Sequence, residues 1–271
     1  MEKVIFIDVD GTLKNEKMDI SKRTIKAIEK VKENGYEVIL CTGRPCDYVN
    51  RLNNEIKGGR YLIYNNGGGL YDVLDKIVLH ENGMNEESVI RLYDIASQDN
   101  VRVILAGNGT RYVNWLKHYD GSETLIEELL VNFLEKNVVV QVTITSPNFD
   151  LIKDMRKELE AVSNVKIINQ SKSLIDDNYP LTGATYYDIV DLNTSKGNMV
   201  NYFCDLVKID FKNRIAIGDD RNDVSLFQAC GYNVAVENAL PELKEMADYI
   251  TDSCEQDGVA KFLEKLVKDN G

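Results

Sequence analysis

Cysteine is sparse and unpatterned in this chain. Cys41, Cys46, Cys204, Cys230 and Cys254 are odd in number and show no Cys-x-x-Cys spacing, which argues against a disulfide framework and against a structural zinc site. They read instead as small buried hydrophobes in a reducing compartment. No apolar run approaches the length of a membrane span. Asp8 and Asp10 interrupt the early apolar run that a signal peptide would need, so a cytoplasmic location is expected. Positive charge is the other shortage. The net charge of −12 gives a field that repels nucleic acid and anionic membrane surfaces, and neither is expected as a partner. An anionic substrate would have to be drawn in by a local lysine, arginine or metal. Internal repeats and low-complexity linkers are absent as well.

What is present is an ordinary globular composition, 44% hydrophobic and 28% charged over 271 residues, enough for one large domain or two smaller ones. The chain is organised around its beginning. Val4-Ile5-Phe6-Ile7 is an apolar, β-branched run that reads as a short buried strand. It stops at Asp8-Val9-Asp10-Gly11-Thr12-Leu13. Side chains alternate along a strand, so Asp8 and Asp10 share one side of its end if the extended geometry persists. Adjacent carboxylates resist ionising together unless a cation lies between them or one keeps a proton. A divalent metal meets the first condition; a nucleophile with a proton-carrying partner uses the second. The same residues also admit an ordinary turn or a calcium loop. A calcium loop needs oxygen ligands at alternate positions, and Lys14 falls on one of them.

A strand–helix alternation follows. Ser21 is placed to cap a helix over 22–34, 36–41 reads as strand, 45–56 as helix and 61–64 as strand. Such alternation predicts right-handed βαβ units and a parallel sheet. Between about 81 and 185 the pattern changes. Helices over 86–97 and 149–162, one between 123 and 135, and strands over 101–105, 111–113, 137–145 and 165–169 suggest an antiparallel-rich α+β insertion. From 186–190 the first pattern is expected to resume. Thr194 or Ser195 then caps a helix that includes Lys196, 213–217 is a strand, and Asn238 caps a helix with Pro241 in its first turn. The predicted fold is α/β: a Rossmann-like parallel-sheet core with helices on both faces over 1–80 and 186–271, and an α+β domain over 81–185.

Ligands of an open parallel sheet bind beyond the carboxyl ends of its strands. Four predicted strand ends carry polar loops of one kind: Asp8-Val9-Asp10, Thr42-Gly43-Arg44, Asn65-Asn66-Gly67 and Gly218-Asp219-Asp220-Arg221-Asn222-Asp223. The start of the Lys196 helix is a fifth candidate. Carboxylates and carbonyls there suit a hard ion such as magnesium, which bridges readily to phosphate. Thr42 and Gly43 precede a helix N-terminus, where backbone N–H groups favour an anion, and Lys196 adds positive charge for the same anion. Each piece alone has an ordinary explanation as a turn, a loop or a surface lysine. Together, in order and at strand ends, they imply phosphoryl chemistry.

These four stretches, Asp8 to Leu13, Thr42-Gly43-Arg44, Ser195-Lys196-Gly197 and Gly218 to Asp223, resemble the ordered motifs of the haloacid dehalogenase-like hydrolases. Within them the chain resembles the Cof-type phosphatases, which carry a type IIB cap inserted after the third strand. Asn65-Asn66-Gly67, Val236-Glu237-Asn238-Ala239, Ala247-Asp248-Tyr249 and Asp257-Gly258-Val259-Ala260 match further patterns of that subgroup. The resemblance implies a magnesium-dependent phosphatase of small phosphomonoesters, either sugar phosphates or phosphorylated cofactors and nucleotides. It implies Asp8 as the nucleophile that forms an aspartyl-phosphate, and Asp10 as the acid toward the leaving oxygen and then the base toward water. Magnesium is implied at the Asp8 carboxylate, the Asp10 backbone carbonyl and Asp219. The Val9 N–H, Thr42, Gly43, Lys196 and Asn222 are implied to bind phosphoryl oxygens, with Asp223 behind them orienting Lys196 or the metal's waters.

The insertion is implied to supply specificity by closing over the site. Within it Arg111, Tyr112, Trp115, His118 and Tyr119 either contact a sugar or ring, or form a partly buried amphipathic segment; His80 reads as a linker or surface residue. The chain departs from the pattern at Lys14, where an apolar residue is common, at Leu226, where methionine is frequent, and at Val236-Glu237, where Met-Gly is usual. None removes a chemical group, although Glu237 alters charge beside the entrance. A phosphomutase on the same scaffold would return the phosphoryl group to substrate, and product analysis separates the two. A signalling receiver domain also gathers aspartates, threonine and lysine around magnesium, but its phospho-acceptor lies on a later strand and no such insertion is expected. A binding protein on a retired hydrolase fold is opposed by the intact Asp8, Asp10, Lys196 and Asp219. The expected partner is a small phosphorylated metabolite, and the expected assembly a monomer or homodimer.

Overall fold

Strand β1 (Lys3–Ile7) buries Val4, Ile5, Phe6 and Ile7 completely, each contributing about 1.5–3 kcal/mol by leaving water. The chain continues through α1 (Lys22–Glu33), β2 (Tyr36–Cys41), α2 (Cys46–Glu55), β3 (Tyr61–Tyr64), β4 (Gly69–Asp72) and β5 (Ile77–Glu81). Next come α3 (Glu86–Ala96), β6 (Arg102–Gly107), β7 (Thr110–Val113), β8 (Thr124–Leu125), α4 (Leu130–Leu134), β9 (Gln141–Ser146), α5 (Phe149–Glu160), β10 (Val165–Lys172) and β11 (Thr185–Asp191). The closing run is α6 (Lys196–Val207), β12 (Arg214–Gly218), α7 (Val224–Gln228), β13 (Tyr232–Val236), α8 (Pro241–Met246), β14 (Tyr249–Thr251) and α9 (Gly258–Asn270). This computed structural model describes residues 2–15, 19–115, 123–172 and 185–270. They form two units, Met1–Leu79 with Ser195–Gly271, and His80–Thr194.

The sheet of the first unit has the order β14-β13-β12-β1-β2-β3-β4-β5. From β14 to β3 every pairing is parallel, as the strand–helix alternation predicts. β4 then runs antiparallel to β3, an extension that short stretches with little apolar alternation did not announce. Strand order runs outward from β1 in two directions, an order for which the right-handed rule of parallel crossovers predicts helices on both faces. α1 packs against α9, and α6 against α7. Ser21 caps α1 by accepting from the Thr24 N–H at 3.1 Å, as expected.

The second unit is a sheet of order β10-β11-β9-β6-β7-β8, antiparallel except between β7 and β8. Here the structure corrects the predicted boundary at 186. β11 pairs with β9 and β10 rather than returning to the first sheet, because Tyr187 and Ile189 are committed to the second unit's apolar core. The helix predicted between 123 and 135 is strand β8 followed by the short α4, in which only Phe133 and Leu134 are buried. One face of the sheet, with Val103, Leu105, Val142 and Ile144, packs with residues of α3 and α5. Side chains of the opposite register are largely polar. Gln141 and Thr143 donate to Asp188 at 3.1 and 2.6 Å. Among the described residues no helix is long and apolar enough to cross a membrane. The five cysteines are free, four of them buried.

Candidate active site

Ile7 lies opposite Leu40 of β2 and Ile217 of β12, so the loops that follow leave three adjacent strands at the same edge. The Asp8 N–H still donates to the Ile217 carbonyl at 3.0 Å, which places its side chain at the strand end and 4% exposed. Lys196 meets it there. Ser195 caps α6 through the Asn198 N–H at 3.1 Å, which sets Lys196 as the first helical residue. Its ammonium donates to Asp8 Oδ1 at 2.5 Å and Asp223 Oδ1 at 2.6 Å, itself 1% exposed. A buried charge is tolerated only when paired in this way.

The electrostatics follow from that burial. Burial favours a neutral Lys196, but Asp223 and Asp8 outweigh it and hold the ammonium's pKa well above its usual range. Burial pushes the Asp8 carboxyl well up; Lys196 opposes this, and the neighbouring Asp223, Asp219 and Asp10 add to it. Burial, then Asp223, raise Asp219 to about 7 against the Thr12 hydroxyl and Lys196. Oxygens of Asp8, Asp219 and Asp223 all lie within 4.8 Å of one another. Thr12 Oγ1 donates to Asp219 Oδ1 at 2.6 Å, and Asp223 Oδ2 accepts the N–H groups of Asp219 and Asp220 at 3.0 and 3.2 Å. Asp223 is therefore occupied by its own chain. Asp8 Oδ2 and Asp219 Oδ2 accept no hydrogen bond from the described residues. Two carboxylate oxygens so placed are a hard, anionic donor pair suited to a divalent ion.

The other predicted residues gather by backbone geometry. Asn65, Asn66 and Gly67 all have positive φ (48, 57 and 90°), which explains an Asn-Asn-Gly sequence at this strand end. That turn lets the Asn66 N–H reach the Thr42 carbonyl at 2.9 Å and the Asn65 N–H the Arg44 carbonyl at 3.0 Å. Asn222 Nδ2 donates to Asn66 Oδ1 at 3.0 Å, and a Cβ on Gly43 would lie 2.9 Å from Asn66 Nδ2. Thr42 and Val9 are buried. The Val9 carbonyl accepts the N–H groups of Leu13 and Lys14 at 3.0 and 2.8 Å, closing the first loop on itself. Gly11, at φ 82°, sits where a Cβ would strike Asp219 Oδ2 at 2.4 Å.

Asp10 is placed differently from Asp8. Both its oxygens accept from Arg44, from Nε at 2.9 Å and Nη2 at 2.8 Å, and its side chain is 38% exposed. The Thr-Gly-Arg setting in the sequence marks Arg44 as part of a polar strand-end loop but does not reveal Asp10 as its partner. Asn238 also differs from expectation. Leu240 precedes α8, and Asn238 instead donates to the Gly11 carbonyl at 2.7 Å and accepts the Cys254 N–H at 2.9 Å. In the second unit, Arg111 is buried and paired with Glu123 at 3.7 Å, whereas Tyr112 packs on Phe133 with ring centres 4.8 Å apart. Trp115 is 41% exposed; His118 and Tyr119 lie outside the described residues. His80 shares a hydrogen bond with Asn82 at 3.0 Å. The charge of Glu237 is met by Lys244 at 3.2 Å.

The sequence model of the haloacid dehalogenase-like hydrolase family matches residues 5–263. A phosphoglycolate phosphatase of Archaeoglobus fulgidus is 30% identical over 97% of this chain and 96% of its own length. The Bacillus subtilis 5-amino-6-(5-phospho-D-ribitylamino)uracil phosphatase YwtE is 26% identical, covering 98% of each. The fold matches that of the subclass IIB sugar phosphatase BT4131 with a TM-score of 0.73 at 20% identity, over 97% of this chain and 98% of that one. By family match, relatives and fold, the chain belongs to the haloacid dehalogenase-like hydrolases, as a Cof-type enzyme acting on phosphoric monoesters.

Proposed function

We propose that this protein is a magnesium-dependent phosphatase of small phosphorylated metabolites, working through an aspartyl-phosphate on Asp8. The observation that carries the reading is the buried Asp8 joined to Lys196 at 2.5 Å beside Asp219. An Asp8 oxygen attacks phosphorus and the bond to the leaving oxygen breaks, with Asp10 giving that oxygen its proton. Water then attacks the phosphorus of the aspartyl-phosphate, Asp10 takes the water's proton, and the Asp8–phosphorus bond breaks to release phosphate. Both Asp10 oxygens accept from Arg44, so handing over a proton requires that contact to open. Lys196, Thr42, Gly43, Asn222 and the Val9 N–H are assigned to the phosphoryl oxygens, and Asp223 to holding Lys196 and the loop of Asp219.

Magnesium would be held by the Asp8 and Asp219 carboxylates with the Asp10 carbonyl; when bound it offsets the charge of the nucleophile and of the transferring group. The insertion, residues 80–194, is assigned to substrate choice, and the location to the cytoplasm. The test is phosphate release across phosphorylated sugars, nucleotides, flavin and pyridoxal compounds, with magnesium and with chelator. Chelator-sensitive release from one class is the expected result. Transfer of phosphate back to substrate, seen in product analysis, would favour a mutase instead.

A further inference from the structure

We propose that Lys14, hydrogen-bonded to the Tyr48 hydroxyl beside Arg44, recognises a carboxylate on the leaving group of the substrate. The inference rests on the phosphatase reading and names its substrate class. Lys14 is fixed close to the chemistry by backbone: its N–H donates to the Val9 carbonyl at 2.8 Å, and it forms a β-bridge with Asp10. Its ammonium donates to Tyr48 Oη at 2.7 Å and lies 5.1 Å from the ring centre. The Arg44 guanidinium lies 5.0 Å from the same ring. Lys14 therefore meets Tyr48 at its hydroxyl rather than over the ring face, and the two cations flank one side chain against their mutual repulsion.

Arg44 has Asp10 as counter-ion. Lys196 has Asp8 and Asp223. No carboxylate among the described residues pairs with Lys14. An ammonium has three N–H donors; Tyr48 takes one, and no other described residue takes the rest. The surplus of a single positive charge matches a carboxylate better than a second phosphate dianion. Tyr48 also fixes the ammonium in advance, which lowers the ordering cost of a contact made by a long side chain. The chain as a whole is strongly acidic at −12, so this local charge decides which anions the site accepts.

The test compares 2-phosphoglycolate with 2-hydroxyethyl phosphate, which differ in the carboxylate. Values of kcat and KM are measured for both esters with wild type, Lys14→Met, Lys14→Arg and Tyr48→Phe. The readout is the ratio of kcat/KM for the two esters, and its change on mutation cancels their intrinsic reactivities. Lys14→Met should lower the preference for phosphoglycolate about tenfold, through KM; Lys14→Arg should retain most of it, and Tyr48→Phe should lower it less. A purely structural role would lower both rates together. An unchanged ratio in both Lys14→Met and Tyr48→Phe overturns the proposal. No release from phosphoglycolate by a wild type that hydrolyses other phosphomonoesters in magnesium also overturns it; no release from any phosphomonoester would instead remove the phosphatase reading beneath it.

Discussion

Lys196 stands between Asp8 and Asp223 with all three side chains buried, so each charge depends on the others. Removing the ammonium in Lys196→Met leaves uncompensated buried carboxylates, a loss of about 3–5 kcal/mol, to be read as a lower urea midpoint. Asp8→Asn keeps the shape of the site while removing the attacking oxygen's charge. Because Lys196 keeps Asp223 as a partner, turnover should vanish with a smaller loss of stability than in Lys196→Met; more than a few per cent residual activity would falsify Asp8 as nucleophile. Asp219 provides a pH test in chelator. Its pKa is raised to about 7 when folded, by burial first and Asp223 second, against about 3.9 unfolded. The folded state therefore holds a proton that the unfolded chain has lost between those values. This contribution to stability is fully present below about pH 4 and is gone above 7. Asp219→Asn lacks the titration. Its Tm relative to wild type in chelator should rise between pH 5 and 8, on the scale of roughly 2–4 °C per kcal/mol, and magnesium should reverse the trend by stabilising only the wild type. A Tm difference independent of pH would contradict the assignment.

At the level of elements, the site is held by loops that touch one another more than by the strands that carry them. The turn after β3 is the clearest case. Gly67 has φ 90°, and a Cβ there would lie 2.1 Å from the Ser195 carbonyl, the residue that caps α6. Gly67→Ala therefore meets both the left-handed penalty of about 1–2 kcal/mol and an overpacking cost of about 1–3 kcal/mol. The expected loss is the sum of these in the denaturation midpoint, together with reduced turnover as Lys196 shifts. A midpoint within experimental error of wild type would show that the turn and α6 are not tied. Arg44 and Asn66 owe their importance to the same crowding, because each links loops far apart in sequence.

At the scale of the molecule, the described residues build two apolar cores, one on the eight-stranded sheet and one on the six-stranded sheet. Cores without shared members open as separate cooperative units. Amide exchange across a denaturant series should give one opening free energy for β1, β2 and β12 and a different one for β6, β9 and β11. Coincident isotherms for both sets would mean a single cooperative unit. The assignment of β11 makes this test sharp, since its amides should follow β9 although it lies only four residues before the α6 helix of the first unit.

The sequence by itself determined the buried opening strand, the parallel order around it, the cap at Ser21 and the family, because each rests on local rules: alternation, turn chemistry and motif spacing. That Asp8, Lys196, Asp219 and Asp223 would meet at the strand ends was legible for the same reason. Only the tertiary structure decided which sheet receives β11, since an apolar strand fits either sheet until its neighbours are known. It also decided that Asn238 holds the Gly11 carbonyl rather than a helix N-terminus, and that Arg44 holds Asp10. Those contacts join residues separated by as many as 227 positions, and a spacing rule cannot see pairings made by folding. The contact of Lys14 with the Tyr48 hydroxyl is of the same kind: the sequence showed an unusual lysine, and the fold supplied its partner.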